Sequence, residues 1–424
     1  MKGKLYTSHF LTCWTDRVYE FSCFLLIAEV FKTSLLLASI YGFSTTIAAI
    51  LFSNFVGRLA DVTPRLAFVR MTMFVQKGSI VLSCIFFYVI FEFNRHVIFL
   101  YSGVVVCGCF LKLAFIANNI AIEKDWVMVI TEGDTEGMLT VMKRIDLFCK
   151  TMAPIMMGTL MSFGSSMGVI IIGTWNTLSL IVEYQLVLQT YKAHPKLASK
   201  DTELGEGTPL MPIEERRVSF LEYVNHQIFP ASLAMAMLHM TVLSFGGIMI
   251  SYLKIIGYQD WSLGVLRAVA GIAGLASTWI LPFLSSKIGI IRSGMWAVWF
   301  EAGSLTPVVI SLTNAYRGSV LGSIMLFAGM CISRVGLWMF DITETILLQQ
   351  LVDPAQLGSI SGWQHSMCNV FDLSQYILTA IVSDPKDFII PATVSLGAIF
   401  CSSMSYTYFV RKERGHLLHW KKGS

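Results

Sequence analysis

The chain has 424 residues, of which 55% are hydrophobic, 12% aromatic and only 14% charged. Soluble domains carry about 25% charged residues, so this composition argues against a soluble enzyme, a disordered chain or a fibrous repeat. The net charge of +4 is too small for a nucleic-acid binder, which leaves an all-α, polytopic membrane protein held in a lipid bilayer.

Runs of roughly 20 apolar residues, long enough to cross a bilayer, recur along the whole chain. In order they are 9–31, 34–57, 67–93, 97–121, 138–163, 167–190, 220–252, 261–285, 290–313, 318–350, 356–382 and 389–410, twelve in all. The first reads as a retained span, because Asp16, Arg17 and Glu20 interrupt any signal-peptide core. The polar stretch Tyr191 to Arg217 separates spans six and seven. It divides the chain into a half at 1–190, a linker at 191–217 and a second half at 218–424 with a short tail. Two six-helix halves joined by a polar loop is the layout of major facilitator transporters. With both termini inside, eighteen basic residues fall on the inner side and five on the outer, so the termini and linker are expected to be cytoplasmic.

Ionisable groups inside spans are costly and are therefore the functional candidates. In span one, Asp16 and Glu20 are four apart and share a helix face. Either they hold a cation, or they lie at a frayed helix end with Arg17 neutralising one acid. In span six, Asn176 and Glu183 share a face about 10.5 Å apart along the axis. Oxygen ligands of this kind suit a hard cation such as calcium, and a plain interhelical hydrogen bond competes for Asn176. Gly57, Asp61 and Arg65 near the inner end of span two, with Asp125, Arg144 and Asp146 near those of spans four and five, are candidate gating groups. Asp146 and Lys150 are spaced for a helical ion pair, and Arg334, Asp341 and Asp372 read as structural pairs or latches. In span seven, Ser244-Phe245-Gly246-Gly247 weakens a helix by about 1 kcal/mol per glycine; it either unwinds or packs closely against a neighbour. The nine cysteines are scattered and read as buried hydrophobes. Gly164-Ser165-Ser166-Met167-Gly168 has a nucleophile-elbow spacing but sits between two spans, and no P-loop or HExxH occurs, so no enzyme is indicated.

An ordered set of segments resembles the ferroportin family from about residue 10 to 410. They are Trp14-Thr15-Asp16-Arg17-Val18-Tyr19-Glu20-Phe21, Ser34-Leu35-Leu36-Leu37, Lys124-Asp125-Trp126-Val127, Arg144-Ile145-Asp146, Trp175-Asn176 through Glu183-Tyr184, and Met240-Thr241-Val242-Leu243. Arg334-Val335-Gly336-Leu337-Trp338-Met339-Phe340-Asp341, His365-Ser366-Met367 and Asp372-Leu373 complete the set. The resemblance implies export of ferrous iron, and of cobalt, nickel or manganese, from the cytoplasm by a plasma-membrane monomer with proton counter-transport. It implies a metal site at Asp16 and Glu20, the latter standing where vertebrate members have histidine. It also implies a regulatory calcium site at Asp16, Gln76, Asn176 and Glu183. The family's second metal site is degenerate here: Gly246 and Gly247 replace its Asp-Cys pair and Gln375 its histidine, with Asp372 nearby in sequence. Loss of that cysteine removes the group that hepcidin engages, so hepcidin insensitivity is expected, with no covalent cofactor. An organic-solute carrier of the same fold and a non-transporting receptor or scaffold are the competing readings; both lack a need for converging acids.

Overall fold

A computed structural model of the chain describes residues 2–131, 136–198, 218–313, 315, 316 and 318–414, and every regular element among them is a helix. The chain forms two compact units: Met1–Leu210 with Ile250–Ala268, and Met211–Met249 with Val269–Ser424. Most of the expected 191–217 linker lies outside the described residues.

The first unit is built from α1 (Lys2–Val30), α2 (Leu36–Val62), α3 (Arg65–Phe93), α4 (Val97–Asn118), α5 (Val127–Thr131), α6 (Glu136–Met161) and α7 (Ser165–Ala193). Pro64 sets the entry to α3, because it cannot donate to a preceding helix and forces Thr63 into extended backbone at φ −103° and ψ 141°. Asn94 closes α3 in the left-handed region at φ 46°, its N–H returning to the Ile90 carbonyl. Between α4 and α5 the backbone widens into a π-helix over Asn119–Trp126, a form that concentrates at functional positions. Its last residue, Trp126, is fully buried in a cluster with Phe68, Met73, Met142, Val187 and Leu197.

The remaining helices are α8 (Phe220–Asn225), α9 (Phe229–His239), α10 (Gly247–Ile255), α11 (Asp260–Ile288), α12 (Ile290–Ser311), α13 (Val320–Leu351), α14 (Pro354–Ile381) and α15 (Ile389–Arg414). Helix therefore occupies every expected span, but span seven is three short helices rather than one. The chain is non-helical from Met240 to Gly246, where the glycine pair lies. Its free N–H groups are taken by side chains: Val242 donates to Ser395 Oγ at 3.1 Å and Leu243 to Thr241 Oγ1 at 3.0 Å. Of the two readings of Gly246-Gly247, unwinding is the observed one.

Seven described helices are long and apolar enough to cross a membrane by length and composition. Those that fall short include α1 and α6, which hold Asp16, Arg17, Glu20 and Asp146, and the broken seventh span. Within the first unit, the beginning of α11 meets α6 backbone to backbone. A Cβ on Gly158 would lie 2.4 Å from the Asp260 carbonyl oxygen, and one on Gly264 would lie 2.2 Å from that of Pro154. Small residues are what let membrane helices approach this closely.

Candidate functional site

Three helices of the first unit, α1, α3 and α7, pack around a polar core. Asp16 of α1 is 8% exposed, and its Oδ1 accepts a hydrogen bond from the amide nitrogen of Gln76 on α3, while Oδ2 is buried without a partner. Gln76 in turn accepts from Asn118 Nδ2 at 3.1 Å, and Asn118 Oδ1 accepts from Thr72 at 2.6 Å. On the other side Thr12 of α1 donates to Glu183 Oε1 of α7. The next residue of α3, Lys77, sits among them at 1% exposure. Its Nζ ion-pairs with Glu183 Oε2 at 3.0 Å and donates to Thr15 Oγ1 at 2.8 Å and Ser179 Oγ at 3.2 Å. Asn176 is fully buried; its amide nitrogen returns to the Ile172 carbonyl at 2.8 Å and its Oδ1 has no partner.

Next to this core is a cavity of about 20 Å³, lined by His9, Thr12, Cys13, Asp16, Asn118 and Glu183 among others. That volume admits one water or one small ion. His9, Cys13 and Asp16 follow one another at four and three residues along α1, so nitrogen, sulfur and oxygen donors share a face. His9 Nε2 and Cys13 Sγ are 3.4 Å apart. Among the described residues no three His, Cys, Asp or Glu side chains already stand in a closed ligand cage.

The sequence pairing of Asp16 with Glu20 is not what the structure brings together. Asp16 turns into the core, whereas Glu20 is clamped by Arg17 Nη1 at 3.0 Å and Arg267 Nη2 at 2.7 Å. Two acids one turn apart repel each other, and each has found a different partner. Arg17 also binds Asp146 at 2.9 Å, a contact between α1 and α6. Arg65 grips Asp125 through two parallel bonds, Nε to Oδ2 at 2.9 Å and Nη2 to Oδ1 at 2.8 Å, and reaches the Leu197 carbonyl at 3.3 Å. The Arg65–Asp125 and Arg17–Asp146 pairs thus both lie within the first unit.

Arg144 is exposed, Gly57 has open space where a side chain would stand, and the Asp61 side chain lies outside the described residues. In the second unit Arg334 is half-buried, Asp341 is exposed, and Asp372 accepts from Gln375 at 2.5 Å, its own neighbour on α14. Gly246 and Gly247 sit at the end of the break and the start of α10.

Sequence reasoning passed over Lys77, His9, Cys13, Arg267 and Glu301. Lys77 was findable as a lysine inside the apolar α3, a placement membranes tolerate only with a partner. His9 and Cys13 were findable from their helical register with Asp16.

Residues 1–399 match the family described as Ferroportin1 (FPN1). The chain is 30% identical to solute carrier family 40 member 1 of Oryza sativa subsp. japonica over 446 residues, covering 98% of this chain and 92% of that one. It is 25% identical to the ferroportin of Homo sapiens, covering 98% and 92% respectively. In fold it is similar to a crystal structure of a bacterial homologue of iron transporter ferroportin in the inward-facing state. The TM-score is 0.83 at 22% identity, over 96% of this chain and 98% of that one. That likeness carries the fold alone.

Proposed function

The chain belongs to the ferroportin family, whose members are multi-pass membrane transporters and not enzymes, and on that premise we propose that it exports ferrous iron from the cytoplasm by alternating access. Cobalt, nickel and manganese are secondary cargoes, protons move in the opposite direction, and hepcidin exerts no control. Both termini face the cytoplasm, in the plasma membrane, and a single copy transports.

The observation that carries this reading is the unpartnered, buried Asp16 Oδ2 at a cavity of ionic size that His9 and Cys13 also line. A carboxylate with imidazole and sulfur donors suits borderline first-row divalent ions better than calcium or magnesium. Asp16 would supply charge and the first bond to the ion, with His9 and Cys13 joining as it enters. The Gly246-Gly247 break offers only backbone and Gln375 a neutral amide, so transport uses one metal site. Backbone and amide carbonyls hold ferrous or cobaltous ions weakly compared with imidazole or thiolate.

The test is efflux from liposomes bearing the purified protein and loaded with ferrous, cobaltous, nickel, manganous or zinc ions. Iron and cobalt should leave faster than from protein-free liposomes, and one metal should bind per chain by calorimetry. Equal leak with and without protein sinks the transport reading, and two metals per chain sinks the single site.

A further inference from the structure

Calcium binds through six to eight oxygens at about 2.3–2.6 Å, and it needs carboxylates free to turn toward it. The set Asp16, Gln76, Asn176 and Glu183 does not offer that. Gln76 presents its amide nitrogen, not its oxygen, to Asp16. One Glu183 oxygen accepts from Thr12 and the other is paired to Lys77 at 3.0 Å. The residue that decides the matter is Lys77. An ammonium has three N–H bonds and no acceptor, and here three oxygens, from Glu183, Thr15 and Ser179, lie within 3.2 Å of Nζ. Lys77 and Glu183 are each 1% exposed, so this charge is tethered and shielded from solvent rather than snorkelling to an interface.

We propose that the Lys77 ammonium is the resident cation of this oxygen nest: it takes the place a divalent ion would hold, and transport in this protein is independent of calcium. A doubly charged ion beside Glu183 would face a positive charge fixed by its own polypeptide, in surroundings of low dielectric where like charges repel strongly. The ammonium joins α3 to α1 through Thr15 and to α7 through Glu183 and Ser179, the bridging an ion would otherwise perform. It also divides the core cleanly. Glu183 is neutralised by Lys77, and Asp16 Oδ2 stays unengaged for the cargo. The inference concerns the nest alone and rests on the transport reading only for its efflux arm.

The experiment titrates calcium chloride alone into the purified protein in nanodiscs, reading heat and thermal unfolding. The unmodified protein should give no binding heat and no change in Tm. Lys77→Asn removes the tethered charge, and calcium should then bind one to one and raise Tm by about 2–4 °C. Lys77→Asn combined with Glu183→Gln removes both charges and should fold without responding to calcium. In the efflux assay, millimolar calcium and a calcium chelator should give rates within twofold of each other for the unmodified protein. One-to-one calcium binding by the unmodified protein overturns the proposal, as does a folded Lys77→Asn that ignores calcium. Should Lys77→Asn fail to fold in any buffer, the unmodified protein decides: silence toward calcium supports the tethered cation, and binding removes it. Absent efflux with silent calorimetry would count against the transport reading and leave the nest assignment standing.

Discussion

In the first unit, Lys77 and Glu183 are each 1% exposed and meet at 3.0 Å, with hydroxyls from Thr12, Thr15 and Ser179 filling in around them. In the second unit Glu301 of α12 is fully buried, yet neither of its oxygens has a hydrogen-bond partner. Arg334 of α13 lies within electrostatic reach of Glu301 but makes no ion pair with it; its Nη2 leans on Ser333 at 3.5 Å and its Nε has no partner. A buried charge that is paired resists removal of its partner, and one left unpaired is already destabilising. The first unit is therefore organised around charge in a way the second is not. The same division holds for the donors that could meet a metal: His9, Cys13 and Asp16 share one cavity, whereas Asp372 is taken up by Gln375.

The largest expected effect comes from breaking the paired side of this contrast. Glu183→Gln strands the Lys77 ammonium in the core and should cost about 3–5 kcal/mol of stability in a reversible unfolding titration. Glu301→Gln deletes a carboxylate that makes no hydrogen bond and meets Arg334 only at a distance, so it should cost less, about 1 kcal/mol. Pairing Glu183→Gln with Lys77→Met should bring stability back to within about 1 kcal/mol of the parent. Equal costs for Glu183→Gln and Glu301→Gln would show that the second unit's carboxylate is held as firmly as the first's.

Next in size is Asp16→Ala, which removes a cavity carboxylate whose Oδ2 has neither a hydrogen bond nor an ion pair. Losing even an outer partner of a metal site costs about 10–100-fold in affinity, so losing the charged ligand should cost at least ~100-fold in iron affinity and abolish efflux. Tm should stay close to that of the parent. Full transport by a folded Asp16→Ala would move the metal site elsewhere. Glu20→Ala should have a smaller effect, under about tenfold in iron affinity, because Arg17 and Arg267 already engage its carboxylate. A loss as deep as that of Asp16→Ala would restore the two-acid site read from the sequence.

Much of the architecture behind these contrasts is legible in the order of the amino acids alone. The apolar runs place a helix at each expected span because length and hydrophobicity decide membrane helices almost alone. The glycine pair marks the end of the break, although its sequence alone left close packing open as well. Asp16 and Glu183 stand out as acids inside apolar spans, Gln76 came from the family resemblance, and the three share one core. Local spacing fails where a distant partner offers better geometry. Asp146, spaced for Lys150, is also bound by the Arg17 guanidinium at 2.9 Å, and Glu20 is held by Arg267 from 247 residues away. No helical periodicity reports such contacts. Lys77 differs: a lysine inside the apolar α3 signals a buried partner, but which acid it meets follows only from how α1, α3 and α7 pack.

The smallest effect is expected at the Arg65–Asp125 clamp, and it separates a gate from a brace. Were Asp125 a latch between halves, its loss would shift the balance of transport states and expose new surface to reagents. Both of its oxygens, however, are bound by a guanidinium of the same unit, whose third contact is the Leu197 carbonyl. The pair is partly accessible, with side chains 12% and 31% exposed, so it is worth about 0.5–1.5 kcal/mol rather than the several of a dry pair. Asp125→Asn should lower stability by about that amount, most visibly as loosening of the turn between α2 and α3. Labelling of single cysteines placed at Gly57 and Leu59 by a membrane-impermeant thiol reagent should then be unchanged within about twofold. A 5- to 30-fold rise, the response expected for a latch weakened by about 1–2 kcal/mol, would return Asp125 to the gate.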